Sequence, residues 1–216
     1  MNPSYSDAID PIFEYVLKFL DRISYNDVRS PEEERESILL QFREAESKIG
    51  SRQGWELIKY ALASWVDEML ISAPWEGRVF WTNNSLEFDF FNSQVRATRF
   101  FQQALEADKL TKSDASEVFY VCVVLGFRGF YGTRDSAFIA EQLKLPTTVE
   151  DWTRRTARKI ELHKPPDPSS DPKQLEGAPA LTGKFMLVGA TLMTVMMAAA
   201  FAVIFSFFIW DDLFKN

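Results

Sequence analysis

The chain has 216 residues, 25% of them charged, with a formal net charge of −7, one cysteine and one histidine. That length fits one ordinary domain or two small ones, and an acidic balance with no block of basic residues excludes nucleic acid as a partner. Cys122 and His163 alone make neither a disulfide nor a zinc ligand set.

In chain order, Asp10-Pro11 reads as a helix opening, Asp as N-cap and Pro at the first helical position. The apolar stripe is Ile12, Phe13, Val16, Leu17, Leu20 and Ile23. Ser30-Pro31 opens a second helix, Glu33 completes a capping box, and Gly50 ends it. A third helix is expected over 52–72. Trp55, Ile58, Leu62, Trp65 and Met69 mark its buried seam. Helix geometry puts Asp67 about 200° from Trp65, on a solvent face, and Glu68 on a flank where Arg128 or a backbone turn would partner it. Residues 86–91 (LEFDFF) alternate like a strand. Further helices are expected over 92–107, from Asp114 with Glu117 as capping partner to 125, over 134–143 and over 148–162. One strand makes no sheet, so the fold class is all-α with about seven helices.

The run Gly126-Phe127-Arg128-Gly129-Phe130-Tyr131-Gly132 has the wrong spacing for a nucleotide loop and follows a helix, so it reads as a helix end and turn. Walker A, HExxH and GxSxG motifs are absent from the sequence, and no cofactor is implied. The best acid–base candidates are Asp67 and Glu68, but no second catalytic group is placed opposite them, which favours structural use of Glu68. Aromatic residues are dense from Trp55 to Tyr131. Most belong to a core, and 74–91 is the stretch where some should surface for docking.

From 163 to 184 the chain turns rich in proline and reads as an extended linker. Residues 185–210 carry no charge, and 26 residues of helix span about 39 Å, enough to cross a bilayer. Mean hydropathy is only −0.16 because this stretch is averaged with an acidic domain: the first 184 residues hold 23 Lys+Arg and 29 Asp+Glu. Residues 1–24 lack a signal-peptide pattern, and the expectation is a tail anchor with a cytoplasmic N-terminal domain (1–162) and a short periplasmic tail (211–216). Ala190, Thr194, Ala198, Ala202 and Ser206 recur every four residues, a small-residue stripe suited to helix pairing in a membrane.

The helix segment 61–70 (ALASWVDEML), Pro74-Trp75-x-Gly77, Trp81, Leu86-Glu87 and Phe90-Phe91-Asn92 resemble the TssL/DotU family. So do Phe100-Phe101 with Leu105. Most specific is 117–131 (EVFYVCVVLGFRGFY), similar to that family's pattern of Glu117, Tyr120, Cys122, Gly126, Phe127, Gly129 and Tyr131. The resemblance implies a hook of two small helical bundles, tail-anchored in the bacterial inner membrane, with a structural role and no catalytic residues. The implied partners are the IcmF-like membrane protein TssM, the baseplate through TssK, the lipoprotein TssJ by way of TssM, and a second copy of the chain. Asp67, Trp75, Trp81, Glu87, Phe90 and Phe91 are the expected partner-binding residues. Trp65, Glu68, Glu117, Tyr120, Gly126, Phe127, Arg128, Gly129 and Tyr131 form the expected structural motif. A type IVB stabiliser of an IcmF-like protein, and a membrane-anchored enzyme using Asp67 or Glu68, are the alternatives.

Overall fold

The first helix, α1 (Pro3–Ser24), begins a full two turns before the expected start and carries Pro11 inside it. Proline removes one intrahelical hydrogen bond. The loss is outweighed because the apolar face runs through it: Tyr5, Ala8, Ile9, Ile12, Phe13, Val16 and Phe19 are all buried. The computed structural model describes residues 3–49, 54–110 and 114–163, all within the compact unit Met1–Pro166.

α2 (Pro31–Ile49) opens with the expected capping box, the Glu33 amide donating to the Ser30 hydroxyl at 3.3 Å and the Ser30 amide to the Glu33 carboxylate at 3.4 Å. It pairs with α1 through Glu34, a fully buried carboxylate. Arg22 donates to both Glu34 oxygens at 2.8 and 2.9 Å, and the Tyr15 hydroxyl donates at 2.7 Å. Burial pushes this carboxyl up, but the hydrogen bonds from Arg22 and Tyr15, with the Arg22 charge, hold it below its ordinary value.

α3 (Trp55–Ser72) is buried on nearly every face and touches α1 and α2 as well as the four helical elements that follow or pack behind it. Those are α4 (Arg78–Asn83), α5 (Leu86–Phe91), α6 (Arg96–Ala107) and α7 (Asp114–Val124). A single 3-10 turn (Gly129–Gly132), α8 (Ser136–Gln142) and α9 (Val149–His163) complete the described chain. Thr148 caps α9 by accepting from the Asp151 amide at 3.2 Å.

The seven expected helices are all present, and among the described residues there is no strand. Two six-residue helices, α4 and α5, are additional. LEFDFF is helical, not extended: alternation over six residues also satisfies the i, i+4 pairs Leu86–Phe90 and Glu87–Phe91. Asn92, at φ 47°, ends α5 in a left-handed cap, so α6 starts at Arg96 and not at 92. α9 runs on to His163.

The buried residues of α1, α2, α3, α6, α7 and α9 form one continuous cluster. Its centre is aromatic: Phe100 stacks on Phe127 at 3.9 Å, and Phe101 meets Phe130, Tyr131 and Trp152 edge-on at 4.9–5.3 Å. Among the described residues no helix is long and apolar enough to cross a membrane. The expected linker after His163, the 185–210 span, its stripe Ala190, Thr194, Ala198, Ala202 and Ser206, and the 211–216 tail lie outside the described residues.

Candidate functional site

Asp67 is the main correction to the sequence reading. Its carboxylate is fully buried, because α3 has neighbours on all sides and presents no solvent face at that position. Oδ1 accepts from the Trp81 indole N–H and the Leu86 amide, both at 2.9 Å, and Oδ2 accepts from the Glu87 amide at 2.8 Å. Burial pushes the carboxyl up to about 6, opposed by the three donors, so it is ionised at neutral pH as an acceptor of three N–H groups must be. Asp67 therefore clamps α4 and the N-terminus of α5 onto α3.

Glu87 extends the same clamp. Also fully buried, it accepts at Oε1 from the Tyr60 hydroxyl (2.8 Å), the Ser93 hydroxyl (2.9 Å) and the Val95 amide (3.1 Å), and at Oε2 from the Arg96 amide (3.1 Å). The last two are orphan donors at the start of α6, which a carboxylate satisfies both by hydrogen bonding and through the helix dipole. Burial and the adjacent Glu87 raise the Tyr60 phenol above its ordinary value. Trp81 is equally buried, so Asp67, Trp81 and Glu87 are withdrawn from the expected partner-binding set. They form a polar network inside the fold, and sequence spacing gives no sign of it because its donors come from α3, α4, the start of α5 and the passage into α6.

Glu68 is half-buried and accepts from the backbone amides of Arg128 (2.6 Å) and Gly129 (3.1 Å). The turn it holds needs glycine. Gly129 sits at φ +52°, and a Cβ there would lie 2.6 Å from the Ala97 carbonyl oxygen. Gly129→Ala is expected to cost about 2–4 kcal/mol, combining left-handed strain with a backbone clash, read as a fall in urea midpoint at unchanged slope. A midpoint within error of wild type would show that this turn does not constrain the fold.

The rest of the motif is mostly internal. Trp65 is buried and donates to the Leu125 carbonyl at 3.4 Å. Gly126 takes φ +113° at the end of α7, Phe127 is buried, and Glu117 lies in the buried set. Arg128 turns back to donate to the Val123 and Phe127 carbonyls at 2.9 and 3.1 Å. The Tyr131 hydroxyl donates to the Pro146 carbonyl at 2.6 Å, and burial pushes its phenol up to about 12. Half-buried Tyr120 and exposed Arg128 line a shallow groove between α7 and α9. Asp67 and Glu68 are engaged in holding backbone, which leaves the enzyme alternative without its proposed acid and base.

What remains outward on the expected docking stretch is different from what the sequence indicates. Val79 of α4 is 71% exposed and Phe88 of α5 is 46% exposed, whereas Trp75, Phe90 and Phe91 are half-buried. Trp75 folds over Gly77, where a Cβ would meet the indole at 2.2 Å, and donates to the Leu70 carbonyl at 2.7 Å. It forms one wall of a groove of about 560 Å³ with Ile23, Val28, Pro74 and Arg78. That volume is enough to take side chains of a partner. Among the described residues there is no cluster of three or more His, Cys, Asp or Glu suited to a metal ion.

The family described as "Type VI secretion system protein DotU" matches the chain over residues 4–211. Among solved structures, the cytoplasmic domain of TssL from Acinetobacter baumannii is similar at 22% identity, with a TM-score of 0.58 over 74% of this chain and 98% of that one. At that identity the likeness concerns the all-helical fold. No curated protein matches.

Proposed function

The chain belongs to the DotU family of type VI secretion system proteins, and from that membership we propose that it is a structural, tail-anchored subunit of the secretion membrane complex. Its helical domain lies in the cytoplasm and its 185–210 segment spans the inner membrane, with 211–216 in the periplasm. There it links an IcmF-like TssM protein, itself joined to TssJ, to the cytoplasmic baseplate through TssK. The stripe from Ala190 to Ser206 supports pairing of the span with itself or with a partner span.

The observation that carries this reading is the extent of the family match. It runs from residue 4 to residue 211 and so takes in the helical unit together with the uncharged 185–210 stretch. The type VI system is preferred to type IVB because that is the system the matching family is described by. The internal polar clamps favour a scaffold: buried carboxylates that bind backbone fix surfaces in place and leave the partners to be met by exposed apolar residues.

The test is co-purification from membranes of the full chain with tagged TssM and TssK. Wild type should bring down both. Val79→Asp with Phe88→Asp should lose TssK and keep TssM, with an unchanged melting temperature because both side chains are exposed. Failure of the folded wild-type chain to retain either protein would sink the linking role.

A further inference from the structure

The densest cationic run in the sequence is Arg154, Arg155, Arg158 and Lys159, four cations in six residues. All four are exposed on α9, spread over about 140° of its surface from Arg154 through Arg158 and Arg155 to Lys159, which lies beside the buried Trp152. Arg154 and Lys159 make surface pairs with Asp151 and Asp108; Arg155 and Arg158 have no salt-bridge partner among the described residues. Surface pairs of this kind are weak and exchange readily for other anions. The rest of the domain has the opposite character: residues 1–148 carry 16 Lys+Arg and 23 Asp+Glu.

We propose that the outward face of α9 is a docking surface for anionic phospholipid headgroups of the membrane that holds the 185–210 segment. The proposal rests on the anchored reading above. Its position along the chain selects the occupant. α9 is the last described helix, and only 21 residues, 164–184, separate it from the uncharged stretch. Even at the roughly 3.1 Å per residue of a proline-rich linker, 21 residues reach only about 65 Å, so α9 stays tethered within reach of the bilayer. An anionic surface repels the acidic remainder of the domain and attracts this strip, which fixes one orientation of the domain over the membrane. The same acidic remainder disfavours nucleic acid as the occupant.

Each cation at such a surface contributes roughly a fivefold factor in partitioning, so removing two lowers the docked population about 25-fold. The test uses the full chain with Glu161→Cys, labelled with a donor fluorophore; the one native thiol, Cys122, is buried and does not compete. It is reconstituted in vesicles of phosphatidylcholine alone or with phosphatidylglycerol, both carrying a headgroup acceptor. Energy transfer should be higher with phosphatidylglycerol. The difference should vanish with Arg155→Gln/Arg158→Gln and in about 0.5 M salt, where the screening length is only a few ångströms. It should persist with Arg155→Lys/Arg158→Lys. Equal transfer in both lipids, or a difference that survives the glutamine pair, overturns the docking surface while leaving the anchor intact. Failure to float with neutral vesicles overturns the anchored reading and the docking surface with it.

Discussion

Asp67→Ala should unfold the domain far more readily than any surface change, at a cost of about 3–5 kcal/mol. Three N–H donors that point at the carboxylate would be left buried: the Trp81 indole and the Leu86 and Glu87 amides. Each abandoned donor costs about 1–3 kcal/mol, less whatever water can reach through the cavity. Asp67→Asn is the discriminating variant. Its amide oxygen can keep the two donors at the Oδ1 position, but its NH2 then faces the Glu87 amide, donor against donor, for a loss of about 2 kcal/mol. Urea denaturation followed by tryptophan fluorescence measures both. If Asp67→Ala and wild type share a midpoint, the clamp contributes nothing and the burial of Asp67 has no structural consequence.

The same carboxylate sets a pH signature with a definite sign. Its folded value of about 6 exceeds the ordinary 3.8, so between these the folded chain keeps a proton that the unfolded chain has released. The contribution of this group to stability therefore falls as the pH rises from about 4 to about 6, and is level above that. Glu34, held below its ordinary value, has the opposite slope and loses its contribution as the pH falls. The two are separated by subtraction: the stability difference between wild type and Asp67→Asn should shrink as the pH rises through that window. A difference that is flat from pH 4 to 7 would contradict the raised carboxyl.

The long helices were legible because each has an amphipathic period and a capping signal of its own, as with Ser30-Pro31-x-Glu33 for α2 and Thr148 for α9. What was not legible depends on neighbours. A seam through Trp55, Ile58, Leu62, Trp65 and Met69 implies a free opposite face only for a helix with one neighbour, and α3 has several. Asp67 was therefore placed in solvent when it is the anchor of two short helices. α4 and α5, at six residues each, are too short to show a 3.6 period and are held by tertiary hydrogen bonds. Glycine positions were readable as a turn, since 126, 129 and 132 follow an apolar helix, but the closeness of Gly129 to the Ala97 carbonyl belongs to the packing of α6. The cations of 154–159 are not a block by count in an acidic chain; only the helix shows that all four are exposed.

Glu87→Ala carries the second large effect and tests whether α3, α5 and the start of α6 act as one unit. Four donors lose their acceptor, two of them hydroxyls that can rotate toward other partners and two of them backbone amides that cannot. The expected loss is about 3–5 kcal/mol. Glu87→Gln keeps an oxygen at the Oε1 position for Tyr60, Ser93 and Val95, and opposes only the Arg96 amide with an NH2, so it should cost about 1–2 kcal/mol. The network is linked through Glu87 itself, whose amide serves Asp67 while its carboxylate serves α6. Once either clamp is released, α5 can move and the other loses geometry, so Asp67→Asn combined with Glu87→Gln should cost less than the sum of the two by about 1 kcal/mol. Additivity within about 0.5 kcal/mol would mean two independent clamps. Amide exchange should then report the same coupling locally, with protection over 78–96 falling together in either single variant.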